Sequence, residues 1–161
     1  MHIDFKKVEP EMLDECAEII RDSFITVAND LMLTKENAPT NPAFIDTAAL
    51  RKMYDKQLDM FAVTEENVTV GFVAIEKAAD DTFYMEKLAV LPAFRHKGYG
   101  RAIMDFVFER VRSSGGKRVS IGIINENEVL KNWYTNYGFV DTEIKVFKHL
   151  PFTVCLMARN V

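Results

Sequence analysis

The sequence predicts one mixed α/β domain, and three observations carry that prediction. Patterned segments follow the order strand, two helices, three strands, helix, strand, helix, two strands. The chain is 161 residues long, enough for one domain with a substantial core. Its composition, 48% hydrophobic and 27% charged, is that of a water-soluble globular protein, with no repeat, low-complexity tract or linker to divide it. The expected unit is residues 1–161.

Taken in order, His2 to Val8 reads as a short strand. Glu9-Pro10-Glu11 starts a helix, because proline is tolerated in a first turn and acids are favoured there. Met12, Leu13, Cys16, Ile19, Ile20, Phe24 and Val27 then trace one helical face. Residues Asn29 to Asn41 show no sustained period, contain Pro39 and precede Pro42, and so read as a long mobile connection. A second helix is expected from about Thr47 to Gln57, capped by Asp46, with Leu50, Met53, Tyr54 and Leu58 inward. Met60–Thr64 and Thr69–Glu76 read as strands joined by a hairpin turn at Glu65-Glu66-Asn67. Ala78-Ala-Asp-Asp81 is a further turn. Ser113-Ser-Gly-Gly116 stops a later helix, Arg118–Ile124 is a strand, and Asn127–Tyr137 is a helix ended by Gly138. Phe139–Phe147 and Phe152–Ala158 close the sheet.

Between these lies the most informative stretch, Tyr84 to Met104. Tyr84–Val90 is apolar or aromatic apart from Glu86 and Lys87, as befits a strand inside a sheet. Pro92 stops its ladder. Gly98 and Gly100 allow a tight turn, and Ile103, Phe106, Val107, the stem of Arg110 and Val111 follow helical spacing after it. A helix start offers unpaired N–H groups and the positive end of a dipole, which suit phosphate. Arg95, Lys97 and Arg101 add three positive charges to a chain whose formal net charge is −4, so a diphosphate is the expected guest. The dinucleotide fingerprint fails because its third glycine would fall on Ile103. The nucleotide P-loop fails because Gly116-Lys117 is followed by Arg118.

Arg95-His-Lys-Gly98-Tyr-Gly100, preceded by Leu88-Ala-Val90-Leu-Pro92, resembles the Arg/Gln-x-x-Gly-x-Gly/Ala signature of the GNAT N-acetyltransferase superfamily. About thirty-five residues later, Asn127-Glu-Val-Leu130-Lys-Asn-Trp-Tyr134-Thr-Asn-Tyr-Gly138-Phe139 is similar to that superfamily's second signature. The resemblance covers at least residues 60–160. His96 stands where a glycine is frequent, and Leu130 where a small residue is common. The resemblance implies a mostly antiparallel mixed sheet of six or seven strands flanked by about four helices, with a splay between strands 4 and 5. It also implies an acetyl-CoA-dependent N-acetyltransferase whose acceptor amine attacks directly in a ternary complex. A non-catalytic acyl-CoA-binding or regulatory module on the same fold is the alternative.

In the implied site, the pantetheine arm of acetyl-CoA bonds along Leu88, Ala89 and Val90 as an added strand would. The diphosphate rests on Arg95, His96, Lys97, Gly98, Tyr99, Gly100 and Arg101. The Val90 N–H helps to stabilise the oxyanion, and Asn127 bonds the pantetheine or the acceptor side, or caps its helix, roles that are compatible. Tyr134 is the expected proton donor to the leaving thiolate, since a phenol of pKa about 10 is protonated at neutral pH and a thiol titrates near about 8.5. A packing aromatic beside Trp133 and Tyr137 is the competing reading. Glu86, the one acid in the central strand, is the candidate base, acting directly or through a water, with pairing to Lys87 or a neighbouring strand as its alternative. Strand alternation would put Glu86, Leu88 and Val90 on one face. Glu126 and Glu128 are reserves.

Other classes lack support. The histidines His2, His96 and His149 have no ligand spacing, so no metal is expected. The acidic balance argues against nucleic acid. No apolar run is long enough for a membrane span, the N-terminus does not read as a signal peptide, and Cys16 and Cys155 both sit in apolar segments. A cytoplasmic location with reduced, packed cysteines is therefore expected. The acceptor, a small-molecule amine or a protein amine, stays open. The Asn29–Asn41 connection and the Tyr54 helix are expected to wall its pocket, with His149 within reach. The resemblance implies an edge at the last two strands where a second copy could pair, and the apolar strand Phe152–Met157 is compatible with such a homodimer.

Overall fold

The computed structural model describes residues 2–161. Seven strands form one sheet: β1 (Ile3–Lys7), β2 (Asp59–Glu65), β3 (Val68–Lys77), β4 (Thr82–Val90), β5 (Arg118–Ile124), β6 (Val140–Val146) and β7 (Thr153–Asn160). Their spatial order is β1-β2-β3-β4-β5-β7-β6. Every neighbouring pair is antiparallel except β4 with β5, which is parallel. Four α-helices flank the sheet: α1 (Leu13–Asp30), α2 (Thr47–Asp55), α3 (Tyr99–Ser113) and α4 (Glu128–Asn136). The mixed, mostly antiparallel architecture matches the sequence expectation.

Local chemistry explains most of the boundaries. The β2–β3 hairpin turns on Glu66 and Asn67, both with positive φ (49° and 68°), the geometry that suits the right-handed twist of a two-residue connection. Asp46 caps α2 by accepting from the Ala49 N–H at 2.8 Å. Pro92 opens a 3-10 turn directly after β4. Gly115, at φ 83°, lets the chain leave α3, and Gly116 N–H bonds back to Val111 O.

Two cores sandwich the sheet. One face carries α1 and α2, with Leu13, Cys16, Ile20 and Leu50 packed on Met60, Ala62, Phe72, Ala74 and Ala89. The other carries α3 and α4, with Ile103, Met104, Val107 and Tyr134 packed on Val73, Met85, Val119 and Ile121. Phe5 stacks on Phe106 with ring centroids 3.9 Å apart, tying the edge strand β1 to α3. Both cysteines are free and buried, Cys16 in the first core and Cys155 in the second.

Two expectations are corrected. The 29–41 connection is folded against the domain: its Leu33 and Ala38, with Ala43 just after it, are buried beside Phe24, Ile124, Leu150 and Phe152. Its turns are closed by Leu33 N–H to Ala28 O and by reciprocal bonds between Thr34 and Asn37. Isolated apolar residues in a non-periodic segment conceal such packing. The final strand is also not an edge. β7 lies between β5 and β6, so the free edge belongs to β6, exposed along its whole length.

Candidate functional site

The site begins where the sheet parts. β4 and β5 pair only over Thr82–Tyr84 and Arg118–Ser120. Beyond Tyr84, β4 stays paired to β3 as far as Val90, while β5 stays paired to β7 as far as Ile124. A wedge therefore opens between the C-terminal halves of β4 and β5, the expected splay. Leu91 N–H bonds Val70 O on β3 at 2.9 Å. Because successive peptide groups of a strand point to opposite sides, the Val90 N–H is turned towards the wedge.

A bulge sits on β4 at the mouth of the wedge. Glu86 pairs with Ala74 and Ala89 with Phe72, so Lys87 and Leu88 together oppose the single residue Val73. Lys87 takes the strain, at φ 54°. The extra residue shifts the alternation by one. Glu86 shares its side of the sheet with Ala74 and the α1–α2 core, whereas Leu88 and Val90 pack on the α3–α4 core. The expectation that Glu86, Leu88 and Val90 share a face is thus overturned. No glycine or proline marks the bulge, which is why the sequence did not reveal it.

The turn after β4 leads into α3. His96 (φ 62°) and Gly98 (φ 90°) both adopt left-handed geometry. The conformation at His96 explains why glycine is frequent there. Gly98 is the N-cap of α3, so the N–H groups of Tyr99, Gly100 and Arg101 lie in a first turn with no intrahelical carbonyl to reach. Gly100 lies under Trp133 of α4: a Cβ there would come within 3.1 Å of the indole. Arg101 Nε donates to the Tyr137 hydroxyl at 3.0 Å. The floor between α3 and α4 is thus built from Gly100, Arg101, Trp133 and Tyr137, of which reading the sequence singled out only the first two.

The three basic residues do not act alike. Lys97 is exposed, its ammonium 5.7 Å from the Phe94 ring centroid, and Arg101 is exposed at the helix start. Arg95 turns inward instead. Its guanidinium donates to Thr26 Oγ1 at 3.0 Å, to Val90 O at 3.3 Å and to Ser23 O, stitching the turn and the end of β4 to α1. Its side chain is therefore a strut of the loop rather than a free charge for a diphosphate. The expectation of three outward charges is corrected to two.

On α4, Asn127 caps the helix, its Oδ1 accepting from Leu130 N–H at 3.3 Å. Tyr134 is 5% exposed and makes edge contacts with Trp133 and Phe139 at ring distances of 5.0 and 5.4 Å. Its hydroxyl makes no hydrogen bond among the described residues, and burial pushes the phenol well above its usual range, so it stays protonated. Both readings of Tyr134 as a packed aromatic and as a protonated donor fit this placement.

Glu86 is half-buried, and burial raises its carboxyl pKa. Lys87 and Lys56 oppose that rise, while the nearby Glu76 carboxylate adds to it. Glu126 is held differently. Burial works upward on it, but bonds from Thr153 N–H and Oγ1 outweigh that effect and keep it below the ordinary carboxylate range. Glu126 is therefore a clasp between the start of α4 and β7, and Glu128 is exposed in the first turn of α4. His149 is exposed in the β6–β7 loop, its ring 5.9 Å from that of Phe147. Among the described residues no group of His, Cys, Asp and Glu is arranged to hold a metal, and no helix is long and apolar enough to cross a membrane.

Solved structures with the same fold are numerous. The PaiA N-acetyltransferase from Thermoplasma acidophilum, in complex with coenzyme A, superposes with a TM-score of 0.82 at 16% identity over 100% of each chain. YncA from Salmonella typhimurium, solved with acetyl-CoA, gives 0.71 at 16% identity over 99% of this chain and 94% of that one. Ard1 from Thermoplasma volcanium gives 0.74 at 18% identity over 100% and 99%. At such identities these likenesses establish the fold alone. The family model for acetyltransferases of the GNAT type matches residues 14–139, which take in nearly all of α1, the wedge, the turn into α3 and the whole of the second signature. A match across that much of the chain, on the residues that build the wedge, is decisive: the protein belongs to the acetyltransferase (GNAT) family.

Proposed function

We propose that the protein is an N-acetyltransferase that moves the acetyl group of acetyl-CoA to a primary amine by direct attack in a ternary complex. The observation that carries this reading is the wedge itself, with the Val90 N–H turned into it and a helix start beside its mouth. The pantetheine arm of acetyl-CoA is peptide-like and suits the unpaired edge of β4 at Leu88, Ala89 and Val90. Its diphosphate suits the backbone of His96, Gly98, Tyr99 and Gly100 together with the Lys97 and Arg101 side chains. Arg95 serves by holding that turn in shape. Asn127 keeps its side-chain N–H groups available for the pantetheine while its oxygen caps α4.

The thioester supplies an activated acyl carbon, and the protein's residues handle the charges. An alkylammonium of pKa about 10.4 must lose its proton before it attacks. Glu86, on the α1–α2 side and held above the ordinary carboxylate range, is the proposed base. As the C–N bond forms, negative charge grows on the carbonyl oxygen and the Val90 N–H receives it. As the C–S bond breaks, Tyr134 gives its proton to the leaving sulfur, and the second proton lost by the newly acylated nitrogen replaces it, so that neutral amide and free thiol are released. Burial keeps that hydroxyl protonated, so the donor is present throughout the working pH range. The acceptor enters from the side of α1, α2 and the folded 29–41 connection, opposite the α3–α4 side where the coenzyme tail lies.

Release of free thiol from acetyl-CoA against a panel of primary amines tests this function. Amine-dependent release is expected. Calorimetry showing no heat with coenzyme A or acetyl-CoA would remove the basis for it, and binding without turnover by any amine would favour the non-catalytic acyl-CoA module. We also propose that β6 meets a second copy of the chain. Val140, Ile144 and Val146 are 64%, 46% and 76% exposed along an unpaired edge, an arrangement prone to association. A dimer mass in light scattering is expected, with a charged residue at Val146 lowering it.

A further inference from the structure

Glu86 has an acidic neighbour that the reaction outlined above leaves unused. Glu76 on β3 stands opposite Tyr84 on β4, and Glu86 stands opposite Ala74. The two glutamates are therefore diagonal neighbours on the same side of an antiparallel pair, close enough for long side chains to meet. The bulge begins only at Lys87, so this part of the ladder is regular. Two ionised carboxylates held side by side repel each other, and a single proton taken up between them can be shared as a hydrogen bond. The charged groups that face Glu86 are Glu76 from β3, Lys56 just beyond α2, and Lys87 of its own strand. Glu76 also lines an open cavity of about 350 Å³ with Lys56, Gln57 and Lys77, at the end of the sheet away from the phosphate turn.

We infer that Glu76 is a positioning residue for the base: the acceptor's proton is taken up by a Glu76–Glu86 carboxyl pair rather than by a lone carboxylate. The inference rests on Glu86 being the base. The step balances simply. The doubly ionised pair accepts one proton from the substrate ammonium, the free amine is left to attack, and the singly protonated pair later returns that proton to water. Two like charges side by side bind the first proton more tightly than either would alone, which makes the pair a stronger base. Lys56 and Lys87 limit the effect, so the pair can still be ionised at working pH. The cavity beside Glu76, which reaches to Arg110 at the far end of α3, gives the proton a way out to water.

Two measurements test the pair: carbon-13 NMR titration of the glutamate carboxyl groups in the free enzyme, and the pH dependence of kcat/KM for thiol release with n-butylamine as the probe amine. Two coupled titration steps are expected, the upper one above the ordinary glutamate range. Glu76→Gln should merge them into one and move the acidic limb of kcat/KM down by about one pH unit. Glu76→Asp should restore most of the shift. Lys56→Gln should move the limb upward, an arm that does not depend on the stability of the Glu76 variants. A single step for Glu86 with the same midpoint in wild type and Glu76→Gln, or no upward movement in Lys56→Gln, overturns the inference. Glu86→Gln separates the two layers. If it keeps the wild-type rate, Glu86 is not the base. If it loses the rate while Glu76→Gln leaves the limb in place, only the pairing is wrong.

Discussion

The two sides of the sheet at the wedge are built from similar materials and do opposite things. On the α3–α4 side a buried phenol, Tyr134, is packed among aromatic rings, and burial keeps its proton on. On the α1–α2 side a half-buried carboxyl, Glu86, is surrounded by charge, and burial raises its affinity for a proton. The same physical cause, poor solvation of an anion, readies one group to give a hydrogen bond and the other to accept a proton. What separates them is one extra residue in β4. Without the bulge at Lys87, strand alternation would have put Glu86 beside Leu88 and Val90, on the α3–α4 side.

The contrast can be broken from either side. Glu86→Gln should have the largest effect, lowering kcat/KM by about 10³-fold while acetyl-CoA affinity measured by calorimetry is unchanged. Tyr134→Phe should lower kcat by about 10²-fold, again with coenzyme affinity kept. A fall in affinity without a fall in kcat would return Tyr134 to a packing role. The basic residues sharpen a related contrast. Arg95→Ala leaves Ser23 O and Val90 O without their donor and should cost about 1–3 kcal/mol of stability in denaturant unfolding. Lys97→Ala should leave the unfolding midpoint in place and weaken coenzyme A binding several-fold, a loss that shrinks as salt is raised.

The smallest expected effects are in the pH dependence of stability, where Glu86 and Asp59 should pull in opposite senses. Burial works upward on Asp59, but bonds from Arg110 and Lys7 outweigh it and hold the carboxyl below its usual range. Its contribution to stability is present above the unfolded-state pKa and is lost as pH falls through the folded value. Glu86, raised, contributes fully below the unfolded-state pKa, and that contribution is lost as pH rises through the folded value. Asp59→Asn should therefore flatten the acidic side of a plot of Tm against pH, and Glu86→Gln the side just above it. The same slope change in both variants would contradict the assignment.

Most of the elements were legible because their signals are local. The Asp46 cap, the Glu66-Asn67 hairpin, Pro92 after β4 and Gly138 after α4 each act within a few residues. The turn into α3 was legible for the same reason: its glycines and its following helix are contiguous. The failures were matters of contact between distant segments. Arg95 reads as a free cation until Ser23 and Thr26 are seen beneath it, about seventy residues away in the chain. The 29–41 connection reads as mobile until Leu150 and Phe152 are seen in one cluster with its Leu33 and Ala38. β7 reads as an edge until β6 is found outside it. Trp133 and Tyr137 could have been suspected from helical spacing with Leu130, which puts all three on the side of α4 that meets α3.

By itself the sequence determined the order of strands and helices, the place of the glycine turn before α3 and the pairing of two signatures, because periodicity, turn chemistry and caps are written in neighbouring residues. Tertiary structure alone decided which way Glu86 points, that Arg95 is a strut, and that Glu76 lies beside Glu86. A strand's register against its neighbour, and the single extra residue that shifts it, is fixed by packing across the sheet, and no local pattern of side chains encodes it.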